Sequence, residues 1–326
     1  MRVGKVPADL LQRLVYPHLG RRPDVLVHAH LGEDCAAVDF GDWIAVLTTD
    51  PVTGAVRHLG RYAVHVACND LATTGAEPVA VLLTLLLREG STPEALETIM
   101  REAGTAAAEL GVEIVGGHTE VTAGIDQTIA LVTALGRVRR DALISTAGAR
   151  PGHAVIMTKS AGIEGTAILA TDLEARLRAA LDDGIVERAQ AFVDRISVVP
   201  DGLVAARAGA AAMHDVTEGG VLGGAWELAD AAGIGIEIRA EAIPVAPETR
   251  AICDALGLDP LRLISSGAML VATGHADRVL VALHEARIPA ATVGAMTDGS
   301  RAVRRSGRVE PLTPPDRDEL WRALSA

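Results

Sequence analysis

Five short stretches hold most of the side chains that could do chemistry: Gly32-Glu-Asp-Cys-Ala-Ala37, Thr48-Thr-Asp50, Asn69-Asp-Leu-Ala-Thr-Thr-Gly75, Gly116-Gly-His-Thr-Glu120 and His214-Asp-Val-Thr-Glu-Gly-Gly220. Taken singly, each has an ordinary reading. Asp34 precedes an apolar run and suits a turn. Asn69 and Asp70 are poor helix formers set inside a helical pattern, which fits either an exposed face or side chains with a task. Gly116 and Gly117 permit close approach of a ligand to the backbone, and they are also common turn residues. Thr217 or Glu218 can cap the helix opening at Gly219-Gly220, or the free N–H groups of that helix can receive an anion such as phosphate. Taken together the stretches say more. Carboxylates at Asp34, Asp50 and Asp70, with the hydroxyls of Thr48 and Thr49 beside one of them, are the hard oxygen ligands that magnesium ions around a polyphosphate require. Neither a glycine-lysine P-loop nor a GxGxxG fingerprint stands at a strand-to-helix turn, so phosphate charge would be met by metal and backbone N–H groups.

These residues need a scaffold that brings them together, and the patterning supplies alternating strands and helices. In the first half, strands are expected over 36–40, 43–48, 79–87, 112–115 and 127–136. Thr48-Thr-Asp50 then ends its strand before Pro51. A helix over 59–74 is closed by Gly75, a good residue for the left-handed position after a helix. A second starts at Ser91-Thr-Pro-Glu94, with cap, proline and acidic residue in helix-opening order, and runs to Leu110 before Gly111. The polar, turn-rich segment from Arg137 to Gly152 marks a domain boundary, giving domains 1–148 and 149–326. Beyond it, strands are expected near 155, 211–214, 234–239, 269–273 and 291–295. Helices are expected over 164–171, 182–195, 220–232, 247–256 and 276–286. Mixed strands and helices in both halves predict an α+β fold of two domains rather than one doubly wound sheet.

Composition narrows the partners. Apolar residues make up 49% of 326 positions, enough for a sizeable core. The net charge of −12 disfavours nucleic acid, which needs a basic surface. The longest apolar stretch, Val79 to Leu87, is broken by Thr84 and is too short to span a bilayer. The opening residues carry no apolar signal core, so a cytoplasmic location and no membrane partner are expected. Cys35, Cys68 and Cys253 are odd in number and lack CxxC spacing, which predicts buried thiols rather than disulfides or zinc ligands.

The order GEDCAAV, TTD, NDLATTGAEP, GGHTEV, HDVTEGGV resembles the ATP-binding superfamily of aminoimidazole ribonucleotide (AIR) synthetase, which also holds thiamine-monophosphate kinase, selenophosphate synthetase and the hydrogenase maturation protein HypE. The likeness is strongest to HypE-like members. It runs from GKVP through GRYAVHVACNDLATTGAEPV to GIGIEIRAEAIPV and LGLDPLRLISSGAML, nearly the whole chain. The resemblance implies an N-terminal ferredoxin-like domain forming a dimeric β-barrel with a second copy, and a C-terminal α/β domain. It places ATP in a cleft between the domains with its phosphates held by Mg2+. By motif, Asp34, Thr48, Asp50 and Asp70 would be metal ligands. Gly32, Thr49, Asn69, Gly116, Gly117 and His118 would lie about the nucleotide, with Thr217 and Asp215 facing it from the second domain. Asp50, Asp70 and Asp215 would carry catalysis, and Lys159, in a glycine-bearing loop after a strand, would reach phosphate or substrate.

Two departures stand out. The position after the glycine pair is usually aspartate in HypE and the thiamine-phosphate kinases, and here it is His118, a poor magnesium ligand; Glu120 is the nearby substitute. HypE proper ends in a carbamoyl-accepting cysteine, whereas this sequence ends Leu320-Trp-Arg-Ala-Leu-Ser-Ala326. A serine offers no comparable sulfur nucleophile. The expected function is an ATP-dependent enzyme activating an oxygen of a small amide, carbonyl or phosphate substrate, with His118 or His214 as candidates for proton transfer. The alternative is a nucleotide-binding partner protein with little turnover that docks a maturation factor. AIR-synthetase ring closure or thiamine-phosphate-type transfer are further options on the same fold.

Overall fold

The computed structural model describes residues 5–53, 55, 57–314 and 317–325. In chain order the first half runs α1 (Ala8–Leu14), β1 (Val25–Val27), β2 (Ala36–Phe40), β3 (Trp43–Val52), α2 (Leu59–Thr73), β4 (Glu77–Arg88), α3 (Pro93–Leu110), β5 (Glu113–Thr122) and β6 (Ile129–Arg139). Its six strands form one sheet ordered β1-β2-β3-β6-β4-β5. Only β4 and β5 are parallel, joined by the crossover helix α3. The return strand β6 then inserts between β3 and β4. This corrects the ferredoxin-like expectation, which requires the order β-α-β-β-α-β. Here α2 and α3 both precede β5 and β6, which are not neighbours in the sheet, and α3 is needed because β5 pairs parallel to β4 and so cannot follow it directly. Within the chain this sheet stays open, with β1 and β5 at its edges.

The second half runs β7 (Ala154–Thr158), α4 (Ile163–Asp172), α5 (Glu174–Arg178), α6 (Asp183–Gln190), α7 (Val199–Ala208), β8 (Ala212–Asp215), α8 (Gly220–Ala231), β9 (Gly235–Arg239), α9 (Pro247–Leu256), β10 (Met269–Thr273), α10 (Ala276–Glu285), β11 (Ala290–Thr297), β12 (Arg301–Arg305), β13 (Arg308–Pro311) and α11 (Glu319–Leu324). Its seven-stranded sheet is ordered β13-β12-β9-β11-β7-β10-β8. The division expected between residues 148 and 149 lies in the segment separating the two sheets.

Strand β3 is longer than its apolar run suggested. It continues through Pro51, which pairs with Leu131 of β6. Alternation places Ile44, Val46, Thr48, Asp50 and Val52 on the face covered by α2, and Thr49 on the opposite face. Thr48 and Asp50 are thus the polar end of a core-facing row. Likewise β5 does not stop at its glycines but carries Gly116, Gly117 and His118 along the outer edge, paired with Leu82, Leu83 and Thr84.

Helix α2 is buried nearly all round, packed against the first sheet, α3, α7 and β8. A helix without a polar stripe needs neighbours on every side, and here the second domain supplies one of them. Two glycines permit the close approach. A Cβ at Gly60 would collide with the Ile99 carbonyl of α3, and one at Gly202 of α7 would collide with that of Ala72. Asn69 ties the domains directly. Its Nδ2 donates to the Ile196 carbonyl at 2.9 Å, and its Oδ1 accepts from the Val198 N–H at 2.8 Å.

Replacing Asn69 by alanine strands a buried carbonyl and a buried N–H, each worth about 1–3 kcal/mol when unpaired. Asn69→Ala is therefore expected to destabilise the protein by about 2–4 kcal/mol in urea unfolding; a change under about 0.5 kcal/mol would show that this staple does not join the domains.

Candidate active site

A cavity of about 340 Å3 opens where the two domains meet. Four aspartates line it, each from a different element: Asp34 from the loop before β2, Asp50 from β3, Asp70 from α2 and Asp215 from the end of β8. Thr48 and Thr217 line it too. The Thr48 hydroxyl donates to Asp70 Oδ2 at 2.6 Å, which fixes that carboxyl against β3. Gly32 holds φ +76°, and a Cβ there would lie 2.5 Å from the Glu227 carbonyl oxygen; its absence lets the Asp34 loop sit on α8.

Bringing these groups together is electrostatically costly. Burial, then the neighbouring Glu227, holds the Asp34 carboxyl well above the usual range, partly opposed by Lys5. Burial, then Asp50, Asp215 and Asp34, does the same to Asp70. Burial followed by Asp34 raises Asp215. Oδ2 of Asp34, Asp50 and Asp215 are all buried without a hydrogen-bond partner. Native buried oxygens nearly always have one, and carboxylate oxygens converging without donors suit a divalent cation. Lys5 brings some positive charge, its Nζ lying 3.4 Å from Glu227 Oε1. Burial opposes its protonation, but Glu227, Glu218, Asp34 and Asp215 outweigh that and raise its pKa. The lysine side chain is half-exposed, so solvent weakens this hold.

The far end of the cavity has a different character. There Glu164 of α4 faces Ser266, among Ile168, Ile264, Leu320 and Trp321. Burial pushes the Glu164 carboxyl up to about 7, its hydrogen bond to Ser266 opposing the rise, and its Oε2 has no partner. Asp318 accepts from the N–H groups of Gly219 at 2.6 Å, Leu320 at 2.7 Å and Ile264 at 3.2 Å. The N-terminus of α8 is thus answered by the protein's own carboxylate. Burial raises Asp318 to about 6 despite those donors.

Other residues picked out by sequence lie elsewhere. Thr49 borders the cavity, but its hydroxyl meets that of Thr133 at 3.0 Å on the uncovered face of the sheet. Asn69 is spent on the domain staple. Lys159 donates to the Ser197 carbonyl at 2.7 Å and pairs with Asp201 at 3.0 Å, away from the cavity. Gly116, Gly117 and His118 are three strands from β3, roughly 14 Å at the usual spacing. His118 Nε2 instead meets exposed Glu120 at 3.1 Å. Cys35, Cys68 and Cys253 are buried thiols, as their spacing suggested. The sequence reading passed over Glu164, Glu227, Ser266, Asp318 and Trp321. Glu164 opens α4 just after the loop that drew attention to Lys159, and a glutamate there had no spacing partner to mark it.

Residues 32–138 match the family model for the N-terminal domain of AIR synthase related proteins, and residues 150–306 match that for the C-terminal domain. The chain belongs to the AIR synthase-related family. Within that family it is 31% identical over 299 residues to a putative hydrogenase expression/formation protein of Methanocaldococcus jannaschii, covering 86% of this chain and 84% of that protein. It is 34% identical over 262 residues to carbamoyl dehydratase HypE of Rhizobium leguminosarum bv. viciae, covering 78% and 73%. A crystal structure of HypE in complex with ATP superposes with a TM-score of 0.70 at 25% identity, covering 98% of this chain and 97% of that one. Mixed α and β structure in two HypE-like domains is therefore the fold of this family member.

The raised carboxyls set a pH dependence. Asp34, Asp70, Asp215 and Glu164 keep their protons to higher pH when folded than when unfolded. Their contribution is complete below the ordinary carboxyl range and is lost as pH rises through the folded values, about 7 for Glu164. In chelator, the thermal midpoint should fall between about pH 5 and 8, and magnesium should restore more of it at pH 8 than at pH 5, because cation binding displaces protons. A flat profile in differential scanning fluorimetry, or one rising with pH, would contradict this account.

Proposed function

We propose that this AIR synthase-related protein is a HypE-like enzyme that uses Mg2+ and ATP to activate an oxygen of a small amide or carbonyl substrate. The observation that carries this reading is the convergence of Asp34, Asp50, Asp70 and Asp215 at the domain joint, with three buried oxygens left without donors. Family membership and the likeness to an ATP-bound HypE structure support the nucleotide.

The aspartates hold the cations, and Thr48 keeps Asp70 aimed at them. Bound magnesium would neutralise phosphate charge and align the terminal phosphoryl group. The chain's own residues do the rest. Glu164 and Ser266, walled by Ile168, Ile264, Leu320 and Trp321, form the acceptor end. With its carboxyl near neutrality, Glu164 can take a proton from an acceptor N–H or O–H at physiological pH. The apolar walls keep water from competing for the phosphoryl group. Leu320 and Trp321 of α11 close this end, with Trp321 Nε1 donating to Glu218 Oε1 at 2.9 Å. That geometry favours a small diffusible acceptor. The open face of the first sheet carries exposed Trp43, Leu82 and Leu135, and on it we place a second copy of the chain.

Calorimetric titration with ATP, with and without magnesium, tests the reading. Binding should require magnesium, and Asp50→Asn should weaken it at least about tenfold, since losing one metal-site residue commonly costs that much. Equal affinity in the variant would remove Asp50 from the site. Binding with no turnover against a panel of small amides would point instead to a docking protein.

A further inference from the structure

The sequence makes His214 a candidate for proton transfer. Its surroundings fit that role poorly. It lies on β8, only 2% exposed, with Nδ1 2.5 Å from the Asp215 carbonyl oxygen. A carbonyl can only accept, so Nδ1 carries the hydrogen and Nε2 is left with its lone pair. That lone pair points at two carboxylates, 3.5 Å from Asp34 Oδ1 and 3.5 Å from Glu227 Oε2. His214 Nε2, Glu227 Oε2, Asp34 Oδ2 and Asp215 Oδ2 are all buried and all without a donor. Acceptors facing acceptors repel unless a proton or a cation sits among them.

A proton on Nε2 is one remedy, but it would draw the carboxylates in to charge-assisted distances of about 2.7–2.9 Å. The observed 3.5 Å separations are instead close to the edge of a tetrahedron whose centre lies about 2.1 Å from each ligand, an edge of roughly 3.4 Å. Ligand atoms of Asp34, His214 and Asp215 lie within 4.8 Å of one another, so all three can reach one ion. Charge agrees. Once a cation displaces their protons, the carboxylates of Asp34, Asp215 and Glu227 against the Lys5 ammonium beside Glu227 leave two negative charges, which one dication cancels. The Nδ1–H bond to a backbone carbonyl is also the usual way a ligating imidazole is oriented.

We infer that Asp34, His214 and Asp215 form a site for one transition-metal dication, with the Glu227 carboxylate beside His214 at its edge, distinct in ligand type from the all-oxygen end at Thr48, Asp50 and Asp70. Imidazole suits zinc, iron, nickel or copper and is a poor partner for magnesium, so the cavity discriminates between two kinds of cation. Asp34 belongs to both ends, turning Oδ1 toward His214 and leaving Oδ2 for a neighbour. The inference goes beyond the ATP-dependent reading and does not require nucleotide to be bound.

The test is a cobalt(II) titration of the full-length, chelator-stripped protein without nucleotide. Wild type should take up one equivalent with the visible bands of a four-coordinate ion. His214→Gln and Glu227→Gln should each weaken uptake at least about tenfold. Pulsed electron paramagnetic resonance of the wild-type manganese(II) form should show nitrogen coupling, a readout that needs no variant to fold. No uptake, unchanged affinity in His214→Gln, or bound manganese without nitrogen coupling would overturn the site. Magnesium-dependent ATP binding, measured on wild type without transition metal, judges the enzyme reading separately. Cobalt uptake without ATP binding defeats only that reading, and ATP binding beside nitrogen-free manganese defeats only this one.

Discussion

The structure depends on one unfavourable arrangement: several carboxyl groups held together out of water. Asp34, Asp50, Asp70 and Asp215 come from four separate elements, and no backbone donor satisfies their inner oxygens. Nothing in the cluster holds itself together. It is imposed by the packing around it, chiefly by α2, which places Asp70 against β3 on one side while Asn69 grips the 196–198 segment on the other. Hydrophobic burial over both domains supplies the free energy that the cluster consumes. Strain of this kind is what a cation or a polyphosphate-bound cation would relieve, so binding and stability are two readings of one electrostatic fact.

The cavity is also polarised along its length. One end is crowded with carboxylates. The other has a single unpaired carboxyl, Glu164, in a largely apolar surround. A reaction that moves a phosphoryl group from a charged donor to a less charged acceptor needs such an asymmetry, because the two reactants demand opposite environments.

Much of this was legible beforehand, and what was missed has physical causes. The helix over Leu59–Thr73 and the helix closed by Gly111 announced themselves through caps and breakers that act locally. Asp34, Asp50, Asp70 and Asp215 stood out because aspartates beside glycines and hydroxyls in apolar surroundings have few structural uses. Strand β3 was cut short because Pro51 reads as a breaker, yet proline tolerates a ladder position where its missing N–H is not needed. The sheet order could not be read at all, since the insertion of β6 between β3 and β4 is decided by long-range packing. Asn69 was seen to be unusual but assigned to a ligand, whereas both its polar atoms serve the backbone of the other domain. Glu164, Glu227 and Asp318 were invisible because partners that matter to them are remote in the chain, Lys5 222 residues from Glu227 and Gly219 99 residues from Asp318, and nothing in local spacing marks a carboxyl that becomes significant only on burial.

The embedding of α2 between the two halves bears on how such a protein can change over evolutionary time. Two domains with separate sheets look like interchangeable modules, ready for shuffling or fusion to new companions. Here the helix that would travel with the first module has a face made to fit α7 and β8 of the second, down to the missing side chain at Gly202. A recombinant half joined to a foreign companion would present that face to a surface never shaped for it. Descent in this lineage should therefore conserve the pairing of the halves as a unit, with innovation confined to the cavity rim and to the exposed strands of the sheets.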